Sequence, residues 1–277
     1  MNKTILVNGQ WQGGADTETY VAAMQLRDYL AQNHAVQSVL TNLETTLIVK
    51  HGIKGCKIIT EQIREALGML HKTAPKKLLT VGGGCDADFA SIAYMNEACN
   101  GDLVVVWMDG HGDINAPEES DSHLFYGMPI RALLGDCPPI SNLAARPLNP
   151  DQVILLGSRD LDAGEEAYIT KHDISLIPVL NNEDEIAGQL AAAIKKTGKS
   201  NVYIHLDLDV LDPGDFSDTP LPVADGYALN DILFALDQLY LNYTVVGTGL
   251  FEYKPIEHIP NELMKIIDRI ERWYDKD

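Results

Sequence analysis

The chain has 277 residues, 45% of them hydrophobic, enough for one large α/β domain or two small ones. Its formal net charge of −19 argues against nucleic acid or an anionic membrane surface as partner, and is compatible with a cationic ligand. No apolar run is long enough to span a bilayer, and the opening MNKTILVNGQWQGG holds too short an apolar stretch for a secretory signal. The four cysteines (Cys56, Cys85, Cys99, Cys137) lack paired spacing, so the expectation is a cytoplasmic protein with reduced thiols.

Along the chain, short apolar runs alternate with stretches of helical period, the pattern of a parallel sheet covered by helices. Strands are expected at Thr4–Val7, Thr46–Val49, Lys77–Val81, Leu103–Met108, Gln152–Leu156, Ile174–Pro178, Asn201–Leu206 and Thr244–Leu250. Helices are expected at Glu18–Gln32, Glu61–Leu70, Asp184–Thr197 (closed by Gly198), Leu229–Leu239 and Pro260–Tyr274. The last of these sets Leu263, Ile266, Ile267 and Ile270 on one stripe. No repeat or low-complexity linker divides the chain, so residues 1–277 read as one domain.

The informative residues follow the strands. GGGCDAD, DGHGD, GSRDLDAGEE, DLDVLDP and FEYKP each come directly after an apolar run. Open parallel sheets bind ligands at the carboxyl ends of their strands, so these five segments would share one edge. Residues two apart on an extended chain point to the same side, which makes one row of Asp109, His111 and Asp113 and another of Asp207 and Asp209. Singly, such a D-x-D is often no more than a loop. Together, four carboxylates and an imidazole would repel unless cations neutralise them. That donor set suits Mn²⁺, with Zn²⁺, Co²⁺ or Fe²⁺ as alternatives. His205, between apolar neighbours, reads as a core histidine or one supporting the ligands. GQWQGG and VGGGCD lack the spacing of phosphate-binding loops.

DGHGDIN-x-P, D-x-D-x-x-D-P and GSRDLDAGE, in this order, resemble the ureohydrolases: arginase, agmatinase and formimidoylglutamase. The resemblance runs from about Leu79 to Pro255. It implies a three-layer α/β/α fold with a central, mostly parallel sheet, and a two-manganese centre that hydrolyses guanidino groups by attack of a metal-bound hydroxide. Asp109 and Asp207 would bridge the metals, His111 and Asp209 would complete one position, and Asp113 would belong to the other. Glu252 would grip the guanidinium. Asp162 and Glu165 match positions that receive an α-amino group, and Asn115, Ser120 and Ser122 match positions that bind an α-carboxylate; Thr219 is a further expected substrate contact. Hydroxyls and an amide donate to a carboxylate, while carboxylates accept from an ammonium. These residues favour an amino acid over agmatine. The resemblance also implies a homo-oligomer, trimer or hexamer.

Two residues depart from the family pattern. Cys85 stands where the family has a metal-binding histidine, and a thiol matches Mn²⁺ poorly. The expectation is one cation held firmly by Asp109, His111, Asp207 and Asp209 and a weakened or empty second position. Alternatively Asp86 or Asp88 substitutes there, or Cys85 ligates Zn²⁺ or Co²⁺. Tyr126 stands where arginases carry a proton-shuttling histidine, and its ordinary pKa of about 10 suits that task less near neutrality. His123 is the replacement to consider. An intact amino-acid end and an altered chemical end point to a guanidine needing less activation, N-hydroxy-L-arginine, ahead of L-arginine. The alternatives are ordinary arginase, another ureohydrolase activity, or a non-catalytic arginine-binding member. A zinc deacylase would need a histidine pair that the chain lacks.

Overall fold

The computed structural model describes residues 2–276. Its elements are β1 (Lys3–Asn8), α1 (Thr17–Leu30), β2 (Val36–Ser38), β3 (Val49–Lys50), β4 (Ile53–Lys54), α2 (Cys56–Thr73), β5 (Lys77–Gly82), α3 (Phe89–Ala98), β6 (Leu103–Met108), α4 (Pro129–Leu133), β7 (Val153–Leu156), α5 (Ala163–His172), β8 (Ser175–Ile177), α6 (Glu183–Thr197), β9 (Asn201–Asp207), α7 (Leu229–Asn242), β10 (Thr244–Phe251) and α8 (Asn261–Asp275). Eight strands form one sheet in the order β2-β1-β5-β10-β9-β6-β7-β8. Every pairing within it is parallel. β3 and β4 form a separate antiparallel pair.

β5 and β6 are buried along their whole length, as continuous apolar runs between two helical layers should be. The core accordingly divides in two. One part carries Leu26 of α1, Leu190 of α6, Leu236 of α7 and Ile266 of α8. The other carries Ile63 of α2, Ile92 of α3, Leu133 of α4 and Ile169 of α5. This is the expected three-layer arrangement. Among the described residues no helix is long and apolar enough to cross a membrane.

One strand was misplaced by the apolar pattern. Thr46–Val49 does not join the sheet; only Val49 enters a strand, the short β3, because Ile48 and Val49 are 74% and 48% exposed and bury nothing. The eighth strand is instead β2, an edge of three residues lying parallel to β1 and too short and polar to read from sequence. α3 also escaped notice, since Phe89 through Asn96 are all buried and leave no polar face to create a period. By contrast Gly198 closes α6 with φ of +65°, a conformation that glycine adopts without strain.

Four strands adjacent at the centre, β5, β10, β9 and β6, end at the segments bearing Cys85, Glu252, Asp207 and Asp109. Sheet order, not chain order, therefore brings them together. α8 buttresses this centre through Leu263, Ile266, Ile267 and Ile270, all buried. Ile266→Ala should cost about 2–5 kcal/mol in chemical denaturation, and Lys265→Ala on the exposed face within about 0.5 kcal/mol. Equal losses would mean that α8 does not dock as described.

Candidate metal centre and substrate cleft

Asp109, Asp207, Asp209 and Glu252 are each aimed by hydrogen bonds. Asp109 Oδ1 accepts from His111 N at 2.6 Å, and Asp109 Oδ2 from the Trp107 indole at 2.9 Å. Asp207 Oδ1 accepts from Asp209 N at 2.7 Å, and Asp209 Oδ1 from Gly110 N at 2.8 Å. Asp209 Oδ2 is left to face His111, and Asp207 Oδ2 to face Cys85. His111 Nδ1 lies 2.8 Å from Asp209 Oδ2 and 3.6 Å from Asp109 Oδ1. Asp113 Oδ2 is buried with no hydrogen-bond partner. Asp113 and Glu252 hold left-handed backbone, with φ of +50° and +56°, where only tertiary constraint keeps such residues. Glu252 N donates to Gly83 O at 3.0 Å, and its carboxylate accepts from Cys85 N at 3.1 Å, joining the ends of β10 and β5.

Burial, together with neighbouring carboxylates, pushes Asp113, Asp207 and Glu252 well above the ordinary acid range and Asp209 up to about 6. Burial also works against the Asp109 anion, but the His111 hydrogen bond and charge outweigh it and hold that carboxyl below its usual value. For His111, burial opposes the charged form, while Asp109 and Asp209 raise its pKa strongly overall. The Tyr126 phenol rises to about 12 through burial and the nearby Asp113.

His111, Asp113, Tyr126, Asp207, Asp209, Thr219, Leu221 and Glu252 enclose a cavity of about 10 Å³, room for one small occupant. Above it opens a cleft of about 580 Å³, which shares His111, Asp113 and Tyr126 with the cavity and carries Asn115, Ser120, Ser122, Asp160, Asp162 and Glu165 on its wall. Asn115 Nδ2 donates to Asp162 Oδ2 at 2.8 Å, and Asn115 Oδ1 is buried without a partner. Ser120 Oγ and Ser122 Oγ lie 3.3 Å apart. Thr219 Oγ1 is likewise buried without a partner. A larger groove of about 620 Å³ beside Tyr240 and Trp273 lies where α7 and α8 end, away from these donors.

Three expectations are revised by this geometry. Glu165 borders the cleft, but both its oxygens are occupied, accepting from Ile114 N at 3.1 Å and Asp162 N at 2.9 Å, so it shapes the wall. His123 lines neither cavity; its carbonyl accepts from Lys54 N at 2.8 Å and its backbone turns with φ of +58°. Neither Asp86 nor Asp88 joins a cluster that could hold a metal among the described residues, although Asp86 Oδ1 is buried without a partner. Asp86 takes the Gln10 amide, while Asp88 takes the Tyr203 hydroxyl at 2.5 Å and His205 Nδ1 at 2.9 Å. Sequence reading gave no role to Arg159. Its guanidinium donates to the carbonyls of Asp209 (2.9 Å) and Val223 (2.7 Å), holding the loop that follows β9. The sequence carries no signal for this role, because the carbonyl partners are brought to Arg159 only by the fold.

A model of the arginase family matches residues 16–266. The chain belongs to the arginase family. Arginase of Staphylococcus aureus (strain MRSA252) is 32% identical over 183 residues, 64% of this chain and 60% of that protein. Non-hepatic arginase 1 of Xenopus laevis is 28% identical over 235 residues, 79% of this chain and 62% of that protein. The chain thus spans about 60% of the length of the curated relatives it matches. The fold is shared with Entamoeba histolytica arginase, solved in complex with L-ornithine, at a TM-score of 0.83 and 20% identity, over 99% of this chain and 98% of that one. It is shared with Bacillus subtilis formimidoylglutamase at 0.69 and 17% identity, over 98% and 85%.

Arginase-family proteins carry a two-metal centre, and the donors here fit cations. Asp109, His111 and Asp209 each present an atom within 4.8 Å of the others, as do Cys85, Asp207 and Glu252. The orphaned Asp113 oxygen and the raised carboxylates are what a cation would satisfy. A carboxyl whose folded pKa is raised binds its proton more tightly in the folded chain, so stability present at low pH is lost as pH rises through that value. The metal-free protein should therefore melt at progressively lower temperature from about pH 4, the ordinary carboxylate value, past the Asp209 value of about 6. Saturating Mn²⁺ should raise the melting temperature more at pH 8 than at pH 5, as differential scanning calorimetry would record. A metal-free protein that grows more stable over that window would contradict the assignment.

Proposed function

We propose that this arginase-family chain is a metal-dependent amidinohydrolase acting on an arginine-like amino acid, with N-hydroxy-L-arginine preferred over L-arginine. The observation that carries this reading is the convergence of His111, Asp113, Asp207, Asp209 and the buried Glu252 on one small cavity beneath an open cleft, with Asp109 beside His111. Cations held there would supply water of lowered pKa as nucleophile for the guanidino carbon. Mn²⁺ suits the carboxylate and imidazole donors around His111.

Glu252 would pair with the guanidino group, its carboxylate oriented by Cys85 N. The α-carboxylate would lie toward Asn115, Ser120 and Ser122, and the α-amino group toward Asp162, all on the cleft wall. Glu165 would support that wall through its backbone bonds. Thr219, with its unpaired hydroxyl, would contact the reacting end from the cavity. Tyr126 stays protonated at neutral pH, so it offers an O–H where a histidine would exchange a proton. An unmodified guanidinium has donors only and nothing to receive that O–H. The oxygen of an N-hydroxyguanidine would receive it, and hydroxylation also lowers the basicity of the group. Hydrolysis would yield ornithine with hydroxyurea, or with urea from arginine.

Ornithine release by Mn²⁺-loaded protein from the two substrates side by side tests this, with the hydroxylated compound expected to react faster. Faster turnover of L-arginine would make the chain an ordinary arginase, and silence on both would remove the proposed activity. Glu252→Gln should lower kcat/KM on the order of 100-fold, the effect of unpairing a buried charge. Asn115→Ala should raise KM roughly tenfold for the amino acid, about 1.4 kcal/mol for one hydrogen bond to a carboxylate, and leave KM for agmatine unchanged. A larger loss on L-arginine than on N-hydroxy-L-arginine in Tyr126→Phe would overturn the role given to the phenol.

A further inference from the structure

Behind the cavity floor lies another set of donor atoms, and it contains a histidine to which the family pattern assigns nothing. Cys85 Sγ is 3.3 Å from His205 Nε2, 3.0 Å from Asp207 Oδ2 and 3.7 Å from Asp109 Oδ2. Cys85, Asp109 and His205 each present one atom within 4.8 Å of the others, and all three residues are buried. Tetrahedral zinc, with Zn–S near 2.3 Å and Zn–N or Zn–O near 2.0 Å, separates sulfur from its fellow ligands by roughly 3.5 Å. The three observed separations bracket that spacing.

His205 is also prepared as a ligand. Its ring stacks on Trp107, with centroids 3.4 Å apart and planes inclined by 6°, and faces Phe251 on the other side at 5.0 Å and 9°. Nδ1 lies 2.9 Å from Asp88 Oδ2, and Asp88 Oδ1 accepts from Tyr203 at 2.5 Å. Nδ1–H donated to Asp88 leaves the lone pair on Nε2, aimed at Cys85. Metal-bound histidines are commonly oriented in this way by a carboxylate on the other nitrogen. Gly249 on β10 leaves room for the pair, since a Cβ there would stand 2.5 Å from Asp88 Oδ2.

We propose that Cys85 and His205, with Asp109 and Asp207, form a buried site selective for Zn²⁺ or Co²⁺ over Mn²⁺, so that the two positions of the centre hold different metals. This rests on the reading of the acidic floor as a metal centre, because Asp109 and Asp207 serve both positions. The histidine absent at position 85 is supplied by β9, two residues before Asp207 and on the same side of the strand. Thiolate and imidazole favour borderline cations, whereas the carboxylates and His111 alone suit Mn²⁺.

Metal-free full-length protein, titrated anaerobically with Co²⁺, should develop a near-ultraviolet thiolate-to-cobalt band that saturates at one equivalent. Zn²⁺ should displace it and Mn²⁺ should not. Cys85→Ser should lose the band, and His111→Ala should keep it while losing the Mn²⁺ paramagnetic resonance signal of bound metal. Asp88→Asn should weaken Co²⁺ binding roughly 10- to 100-fold, the usual effect of removing a carboxylate behind a ligating histidine. X-ray absorption of wild-type protein holding one equivalent of Zn²⁺ should show one sulfur together with imidazole, a readout needing no core variant; His111→Ala should show the same imidazole. A wild-type protein that binds Mn²⁺ but gives no thiolate band would overturn the proposal and leave the metal-centre reading standing. Failure to bind either ion would remove both. A zinc spectrum with sulfur and no imidazole would reduce His205 to a hydrogen-bond partner of the thiol and also overturn it.

Discussion

Mutual repulsion among buried carboxylates is the constraint around which this structure is organised. Asp109, Asp113, Asp207, Asp209 and Glu252 are all nearly inaccessible to water, yet they share one edge of the sheet. Two unit charges 4 Å apart repel by about 4 kcal/mol even at an effective dielectric constant of 20. Fixed backbone donors and His111 relieve part of this, and uptake of protons relieves more in the metal-free chain. A bound cation relieves it without neutralising the acids, and in doing so becomes positioned for chemistry.

Holding repelling groups in place requires stiff supports. β5, β10, β9 and β6 provide them as adjacent parallel strands between two apolar layers. Arg159 adds a brace by binding carbonyls of the loop after β9, and the left-handed residues Asp113 and Glu252 show where that scaffold overrides backbone preference. The Trp107–His205–Phe251 stack performs the same service one layer deeper, fixing an imidazole that would otherwise be free to rotate.

The two departures from the family pattern, Cys85 and Tyr126, occupy different depths of this scaffold. Cys85 is buried among carboxylates and His205, whereas Tyr126 borders both the cavity and the cleft. In the proposed readings the first would bear on which cation binds and the second on what the substrate presents. Asn115 and Asp162, elsewhere on the cleft wall, are joined to each other by a hydrogen bond.

Much of the architecture could be read from the chain alone. Alternating apolar runs and helical periods specify a parallel sheet with helical cover, because burial on both faces demands continuous hydrophobic strands. The D-x-H-x-D and D-x-D rows exposed the candidate donors, because an extended backbone sets alternate side chains on one side. What local pattern could not supply was the environment of each group. Thr46–Val49 looked like a strand and β2 did not, since edge pairing depends on neighbours distant in sequence. Glu165 and Asp162 looked alike, yet the amides of Asp162 and Ile114 occupy the two oxygens of the first, while the second accepts from the Asn115 side chain on the cleft wall. His205 looked like core or like a support for the ligands, and only the packing of β9 against β6 and β10 shows it beside Asp88 and Cys85. Residue type and spacing thus determined which groups reach the sheet edge. Tertiary structure decided which of them remain unpaired there, because that depends on partners brought together by strand order and not by chain order.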